Sequence, residues 1–142
     1  MSTAIVTYIG GLRTQNKHLK SGATYTTDAP LDNHGLGQAF SPTDTMATAL
    51  ANCMLTTMAI KCASKGIAFE NAWAEVTKIM QDTPRRIGQI IVVLHLSSAY
   101  DQKTRVLLER IAQHCPVGLS IHPEVLIETS FVYQEIASHD LL

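Results

Sequence analysis

Residues 49–60 of the chain, ALANCMLTTMAI, decide its fold. They lie in a run without charged side chains that extends from Thr45 to Ile60. Apolar residues occupy nearly the whole circumference of a helix built from this run, so such a helix must be covered on all sides. The run is about 16 residues long, shorter than the roughly 20 residues that span a bilayer. We therefore interpret it as a buried helix of a soluble protein without a membrane partner.

The residues that flank this run predict where the helix begins and ends. Ser41 supplies a capping hydroxyl, Pro42 suits the first helical position, and Asp44 places a negative charge in the first turn. Lys61 is a cation of the sign favoured near the carboxyl end, and Gly66 predicts the stop. A helix from Ser41 to Gly66 follows.

The rest of the chain predicts strands and one further helix. β-Branched and aromatic residues between turn signals predict the strands, and Asp101 can cap a second helix that ends near His114. Strands and helices are segregated, so we predict one α+β domain over residues 1–142. The predicted strands are Ala4–Leu12, Ala23–Thr27, Phe69–Met80, Arg86–Ser97 and Val125–Tyr133.

Charge and termini narrow the classes of function. The formal net charge is -1 and no cluster of Lys and Arg is present, which argues against nucleic acid as a partner. The amino terminus, MSTAIVTYIGG, lacks the pattern of a signal peptide, so we expect a cytoplasmic protein. Three cysteines are too few for a structural disulfide framework, so any disulfide is expected to be transient or catalytic.

Helix geometry limits which cysteines can pair. Cys53 and Cys62 are nine positions apart on one predicted helix, which places them on opposite sides and about 13.5 Å apart along the axis. Any disulfide within one chain must therefore include Cys115, with either Cys53 or Cys62 as its partner.

The local surroundings of the three thiols differ. The helix dipole disfavours a thiolate at Cys62, so we interpret that residue as core. Cys115 precedes Pro116, which can open a short helix whose amino terminus would lower the pKa of the thiol. The neighbours of Cys53, such as Leu50, form an apolar wall that raises a thiol pKa, so Cys53 would need a cation from elsewhere to become reactive.

Two motifs together carry a family resemblance. FSPTDTMATALANCMLTTMAI at residues 40–60, followed by HCPVGLSI at residues 114–121, resembles the OsmC/Ohr family of thiol peroxidases. The resemblance implies an intertwined α+β homodimer in which a long buried central helix packs against antiparallel sheets. This architecture would cover a helix that is apolar on all sides.

The resemblance also implies a chemistry and the residues that perform it. Cys53 would reduce a hydroperoxide as a thiolate, and Cys115 would convert the resulting sulfenic acid to a disulfide. A dithiol reductant, lipoyl-type or similar, would reset the pair, with no metal, haem or flavin as cofactor. Arg13 is the only arginine before the helix and takes the role of the arginine that stabilises the thiolate.

One position departs from the family pattern. The peroxidases that this chain resembles place a glutamate directly after the proline of the cap, where it orients the arginine, and this chain has Thr43 there. Asp44, one position further, is a candidate replacement, although helix capping is an equally good role for it. We therefore include Asp44 with Cys53, Cys115 and Arg13 as candidate catalytic residues.

Other interpretations receive less support from the sequence. His114, Cys115 and His122 lack the spacing of a metal site, and no hydrolase motif surrounds a nucleophile. A small-molecule binding or redox-sensing dimer with little turnover is the main alternative, and a cysteine-dependent transferase or hydrolase is a third. We expect organic hydroperoxides to be preferred over hydrogen peroxide because of four apolar side chains, those of Phe40, Met46, Leu50 and Met54.

Overall fold

A computed structural model describes residues 1–136 of the chain. The chain divides into two compact units, residues 1–46 and the residues from Ala47 onward. The structure has the α+β architecture that the sequence predicts, with a long helix and two small sheets. That residues 1–142 form one domain stays a prediction.

The first unit contains a three-stranded antiparallel sheet. Its strands are β1 (Ala4–Gly10), β2 (Arg13–His18) and β3 (Thr24–Asp28), in the order β1-β2-β3. Gly10 and Gly11 turn the chain with positive φ angles of 85° and 62°, which glycine adopts without strain. The predicted strand that continued to Leu12 is therefore too long, and β2 was missing from the prediction.

The apolar side chains of β1 remain exposed. Ile5, Val6, Tyr8 and Ile9 are each at least half exposed to solvent. Neighbouring residues of a strand point to opposite faces, so exposed apolar side chains lie on both faces of β1. The described residues of one chain leave this strand without a cover.

Helix α1 (Pro42–Ser64) has the predicted start and a glycine stop. The Oγ of Ser41 accepts a hydrogen bond from the backbone N–H of Asp44 at 3.0 Å, and the Oδ2 of Asp44 accepts one from the N–H of Ser41 at 3.0 Å. This reciprocal pair is a capping box. At the other end Gly66 has a φ of 66°, and the N–H of Ile67 returns to the carbonyl of Cys62 at 2.9 Å.

The second unit contains a three-stranded sheet and two further helices. The strands β4 (Trp73–Gln81), β5 (Arg86–Ser97) and β6 (Leu126–Gln134) lie in that order, and α2 (Gln102–Gln113) and α3 (Pro116–Ser120) connect β5 to β6. β4 and β5 form the predicted hairpin, but β6 runs parallel to β5. The prediction of antiparallel sheets is therefore wrong for this pair, because two helices carry the chain back across the sheet.

One face of α1 forms the core of the second unit. This face packs with alternate residues of β5 and with Leu108 of α2, and all of these side chains are buried. The opposite side of α1 is not covered in the same way, since Ile60 is 65% exposed. The sequence predicts that α1 is covered on all sides, but the described residues of one chain cover it on one side only. The buried residues of α1 are Ala47, Leu50, Ala51, Met54, Met58 and Cys62.

Helix α1 also has the length and composition of a membrane-spanning segment. Within residues 1–136 it is the one helix that meets this criterion, and it has 23 residues. The core helix of a soluble protein meets the same criterion.

Candidate active site

Two of the three thiols are neighbours in the second unit. Cys53 lies in the middle of α1 and Cys115 lies at the junction of α2 and α3. Burial raises the pKa of Cys115, and both the charge of Cys53 and a hydrogen bond with it raise that pKa further. Of the two pairs that helix geometry left open, the structure brings Cys53 to Cys115.

Cys62 has a different environment. It is fully buried in the core, and burial raises the pKa of its thiol. Burial raises the pKa of the Tyr100 phenol, and the charge of the nearby Cys62 raises it further. These features agree with the interpretation of Cys62 as a core residue.

Cys115 is the amino-terminal cap of α3. The backbone N–H of Gly118 donates to its Sγ at 3.4 Å, and Pro116 occupies the first helical position. The hydrogen bond from Gly118 lowers the pKa of Cys115, but the larger effect of burial raises it. The predicted net lowering of the pKa of Cys115 is therefore wrong, since the side chain is fully buried.

Gly118 fits closely against this sulfur. A Cβ added at this position would lie 3.3 Å from the Sγ of Cys115 and 3.4 Å from a methyl carbon of Leu50. The first separation is tighter than most contacts of real Cβ atoms, and the second is at the short end of ordinary van der Waals contact. The absence of a side chain at residue 118 thus lets its N–H approach the thiol.

Cys53 is the more accessible member of the pair. Its side chain is half-buried, whereas Cys115 is not exposed at all. The Sγ of Cys53 lies 3.8 Å from the Oγ1 of Thr57, and the Thr57 hydroxyl donates to the carbonyl of Cys53. A small molecule from solvent can therefore reach Cys53 before it reaches Cys115.

A cavity of about 460 Å³ has Gly118, the hydrogen-bond donor to the Cys115 sulfur, in its wall, although neither Cys53 nor Cys115 lines it. Leu50, which has a methyl carbon close to Gly118, is part of the same wall. Phe40 and Met46, which were predicted to contact the substrate, are exposed residues of the first unit and do not line this cavity. The lining consists of Leu50, Met54, Ala112, Gln113, Gly118, Leu119, Ile127, Glu128 and Thr129.

A larger cavity of about 580 Å³ lies elsewhere in the second unit. Its wall contains Lys65, Lys103 and Arg110 but no thiol. We assign the candidate site to the smaller cavity, because its wall contains Gly118, whose N–H donates to the Cys115 sulfur.

Arg13 has a carboxylate partner that was not predicted. It lies at the start of β2, where its register partner in β3 is Asp28. The Nε of Arg13 is 4.0 Å from the Oδ2 of Asp28, and that oxygen accepts a hydrogen bond from the N–H of Gln38 at 2.9 Å. Asp28 was missed because β2 was missed. Recognition of the hairpin of β2 and β3, with its turn near Ser21, would have placed these residues opposite each other.

Asp44 belongs to the cap of α1. Its carboxylate accepts from the N–H of Ser41, as described above, and the Oγ1 of Thr43 lies 3.2 Å from the Oγ of Ser41. The helix-capping role, one of the two that the sequence left open for Asp44, is present in the structure.

The histidines considered as metal ligands have other contacts. The Nδ1 of His114 lies 2.8 Å from the carbonyl oxygen of Arg110, and the Nδ1 of His122 accepts from the N–H of Glu124 at 3.1 Å. In the described part of the chain no three His, Cys, Asp or Glu side chains are grouped so that they could hold a metal ion.

Comparison with known proteins agrees with the fold. The family model described as OsmC-like protein matches residues 35–130. The chain belongs to the OsmC-like family. No curated protein matches the chain in sequence.

Solved structures show the same fold over nearly the whole chain. A protein of Psychrobacter arcticus, provisionally described as an osmotic stress induced and detoxification response protein, is 44% identical with a TM-score of 0.89, over 92% of this chain and 96% of that chain. The organic hydroperoxide resistance protein OsmC of Legionella pneumophila is 18% identical with a TM-score of 0.74, over 93% and 98%. The organic hydroperoxide resistance protein OhrB of Bacillus subtilis is 19% identical with a TM-score of 0.67, over 92% and 98%.

Proposed function

We propose that the protein is a thiol-dependent peroxidase that reduces organic hydroperoxides through Cys53 and Cys115. The observation that carries the proposal is the pairing of a half-buried thiol on α1 with a fully buried thiol at the start of α3. Membership of the OsmC-like family supports it, since hydroperoxide resistance proteins share the fold.

In the first step Cys53 is the peroxidatic residue. Its thiolate attacks the terminal oxygen of the hydroperoxide, and the O–O bond breaks. The sulfur becomes a sulfenic acid, and the other oxygen takes up a proton and leaves as an alcohol. The half-buried position of Cys53 suits this role, because the attacking sulfur must meet a substrate that comes from solvent.

In the second step Cys115 is the resolving residue. Its sulfur attacks the sulfenic sulfur of Cys53, a disulfide forms, and the hydroxyl group leaves as water. Full burial keeps Cys115 away from the peroxide while its neighbour is oxidised. The raised pKa of Cys115 has the same effect, because the protonated thiol is a poor nucleophile.

A dithiol closes the cycle. One thiolate of the reductant attacks the disulfide, and its second thiol displaces the protein sulfur, which leaves both cysteines reduced and the reductant oxidised. We propose a lipoyl-type or similar dithiol in the cytoplasm, where small reductants keep thiols reduced.

Arg13 is proposed as the cation that stabilises the thiolate of Cys53. A guanidinium near a thiol favours its charged form and so lowers the pKa of the thiol. Two observations support this role. The chain resembles the OsmC/Ohr peroxidases, and the carboxylate of Asp28 lies opposite Arg13 in the sheet.

The smaller cavity, whose wall contains Gly118, is proposed to hold the organic part of the substrate. Each methylene buried against Leu50 and Met54 is worth about 0.8 kcal/mol, so a few carbons suffice for a large preference over hydrogen peroxide. Glu128 lies in the same wall, and its negative charge favours neutral hydroperoxides over those that carry a carboxylate.

We propose that the working protein is a homodimer. The exposed apolar residues of β1 and the partly uncovered α1 supply apolar surface that a second copy can bury. Light scattering during size exclusion at micromolar concentration tests this proposal, and a well-folded monomer would contradict it.

One observation favours a second candidate, a small-molecule binding or redox-sensing dimer with little turnover. Thr43 stands where the resembling peroxidases have a glutamate. A protein of this kind would form the disulfide once and would not consume peroxide continuously.

Peroxide consumption in the presence of dithiothreitol tests both candidates. We expect continuous turnover with cumene hydroperoxide, slower turnover with hydrogen peroxide, and none in Cys53→Ser. The matched control is Cys62→Ser, which removes a thiol of α1 that has no role in the proposed reaction. Oxidation that stops after one equivalent of peroxide per chain would favour the redox sensor, and undiminished turnover in Cys53→Ser would refute the peroxidase.

A further inference from the structure

The larger cavity of the second unit has a positively charged wall. Lys65, Lys103 and Arg110 line it, and among residues 1–136 no Asp or Glu side chain does. Its volume of about 580 Å³ is within the range of small-molecule sites. Neither Cys53 nor Cys115 is part of this wall, so the proposed reaction gives the cavity no role.

Two elements bring the three cations to one cavity. Lys65 lies in the turn that follows α1, where its N–H donates to the carbonyl of Cys62 at 3.0 Å. Lys103 and Arg110 are seven positions apart on α2, which is about two turns of helix, so they share one face. Leu107 lies between them on the same face. This face of α2 therefore has a cation at each end and an apolar centre.

The charges of the three cations are not neutralised by the protein. Within residues 1–136 none of them forms an ion pair with a carboxylate. The hydrogen bond from the backbone N–H of Thr104 lowers the pKa of Asp101, and the charge of Lys103 lowers it further, but Asp101 does not line the cavity. Like charges around one cavity repel each other, and a bound anion would offset this repulsion.

Apolar side chains form the rest of the wall. Ile67, Val106 and Leu107 line the cavity together with the cations, and Val106 is 43% exposed. A purely polar ion would leave these side chains in contact with water. A ligand with an anionic group and an apolar body matches both parts of the wall.

The start of α2 favours a carboxylate over a phosphate as the anionic group. Free N–H groups at the amino terminus of a helix bind phosphate. Here the carboxylate of Asp101 accepts the N–H of Thr104 at 2.8 Å, so a negative charge already occupies this end. A carboxylate carries a single charge, and the guanidinium of Arg110 can donate to both of its oxygens.

The two cavities of the second unit differ in the sign of their charge. The wall of the smaller cavity contains Glu128 and, among residues 1–136, no Lys or Arg. An organic molecule that carries a carboxylate is therefore disfavoured in the smaller cavity and favoured in the larger one.

We propose that the larger cavity is a binding site for an amphiphilic carboxylate, of the class of medium-chain fatty acids, and that it is separate from the candidate active site. The three cations hold the carboxylate, and the apolar part of the wall contacts the hydrocarbon chain. This site is independent of the proposed peroxidase reaction.

Titration of the full chain with octanoate tests the site. Calorimetry should give saturable binding with a Kd of about 1 mM, as expected of a ligand this small, and added salt should weaken it. Arg110→Gln should weaken binding about tenfold, because a hydrogen-bonded charge pair is lost. The matched control is Lys61→Gln, which removes the same charge from an exposed position of α1 outside the wall and should change the Kd by less than about twofold.

Two further probes separate the anionic from the apolar contribution. Octan-1-ol has the same chain without the charge, so it should bind more weakly than octanoate and should bind Arg110→Gln as well as it binds the wild type. Inorganic phosphate should not displace octanoate. Phosphate that binds more tightly than octanoate, and that loses affinity in Arg110→Gln, would refute the choice of an amphiphilic carboxylate.

The results that overturn the site differ from those that overturn the peroxidase. A folded Arg110→Gln with the wild-type Kd for octanoate refutes the site, and Lys103→Gln is measured in its place if Arg110→Gln does not fold. Cys53→Ser should bind octanoate as the wild type does, and a loss of binding there would place octanoate at the active site and refute a separate one. A wild type that binds octanoate but does not consume peroxide supports the site and refutes the peroxidase alone.

Discussion

One equivalent of cumene hydroperoxide is expected to join Cys53 and Cys115 of the same chain in a disulfide and to leave Cys62 as a free thiol. The first two thiols are neighbours in the structure. Cys62 lies nine residues beyond Cys53 on α1, which is about 13.5 Å along the helix axis. A disulfide requires Cα atoms within about 7 Å, so Cys53 cannot reach Cys62 within its own chain.

The size of the effect on stability follows from the length of the closed loop. Residues 53 and 115 are 62 positions apart (115 − 53). In the chain-entropy model a loop of this length stabilises the folded state by about 4 kcal/mol. A chain of this size gains about 2–4 °C in Tm for each kcal/mol, so oxidation should raise Tm by about 10 °C, less any strain in the bond.

Thermal melting and peptide mapping measure this outcome together. Reduced and oxidised samples of the wild type and of three single variants are compared. The Tm increase should persist in Cys62→Ser and disappear in both Cys53→Ser and Cys115→Ser. Electrophoresis without reductant distinguishes a bond within one chain from a bond between chains.

Three results would refute the reasoning. A Cys62–Cys115 disulfide would mean that the neighbouring thiols do not react with each other. A disulfide between two chains would close no loop within either chain, so the stabilisation of about 4 kcal/mol would not arise. An undiminished Tm increase in Cys53→Ser would show that this residue is not the attacking sulfur.

Three further predictions concern the surroundings of the site. The rate at which Cys115 resolves the sulfenic acid of Cys53 should increase about tenfold for each unit by which the pH rises, as long as the pH stays below the raised pKa of Cys115, because only the thiolate attacks. Trapping of the sulfenic acid with dimedone at successive pH values measures this rate, and a flat profile would contradict the prediction. Gly118→Val should destabilise the fold by about 1–3 kcal/mol in urea unfolding and slow disulfide formation, because its side chain meets Cys115 and Leu50; wild-type values would refute the close fit. Burial raises the pKa of Tyr133 from its ordinary value of 10.0 to about 12. The neutral phenol therefore stabilises the fold below pH 10, and this contribution to the free energy of unfolding is lost as the pH rises to about 12. Between these pH values Tyr133→Phe should lose less stability than the wild type, and an identical loss would count against the prediction.

Local signals in the sequence predict the elements that carry the thiols. β5 begins and ends where predicted, at Arg86 and Ser97, because a long apolar run lies between turn residues. Asp101 caps α2 through the N–H of Thr104 at 2.8 Å, and Pro116 opens α3. Each of these features depends on residues that are adjacent in sequence.

The features that were missed depend on contacts distant in sequence. β2, Arg13–His18, is almost entirely polar and so lacks the apolar alternation that identifies a strand. Without β2 the pairing of Arg13 with Asp28, which spans 15 positions (28 − 13), could not be predicted. The parallel direction of β6 and the burial that raises the pKa of Cys115 are likewise set by tertiary structure.

The cap of α3 makes this helix a reporter of the redox state. Its acceptor is the Cys115 sulfur, which receives the N–H of Gly118. In the proposed disulfide that sulfur is bonded to the Cys53 sulfur and turned toward it, so it is a poorer acceptor for the amide. The amide hydrogen of Gly118 should then exchange with deuterated solvent faster in the oxidised protein than in the reduced one, and a partner that samples the surface of α3 would sense the oxidation of a thiol that it never touches.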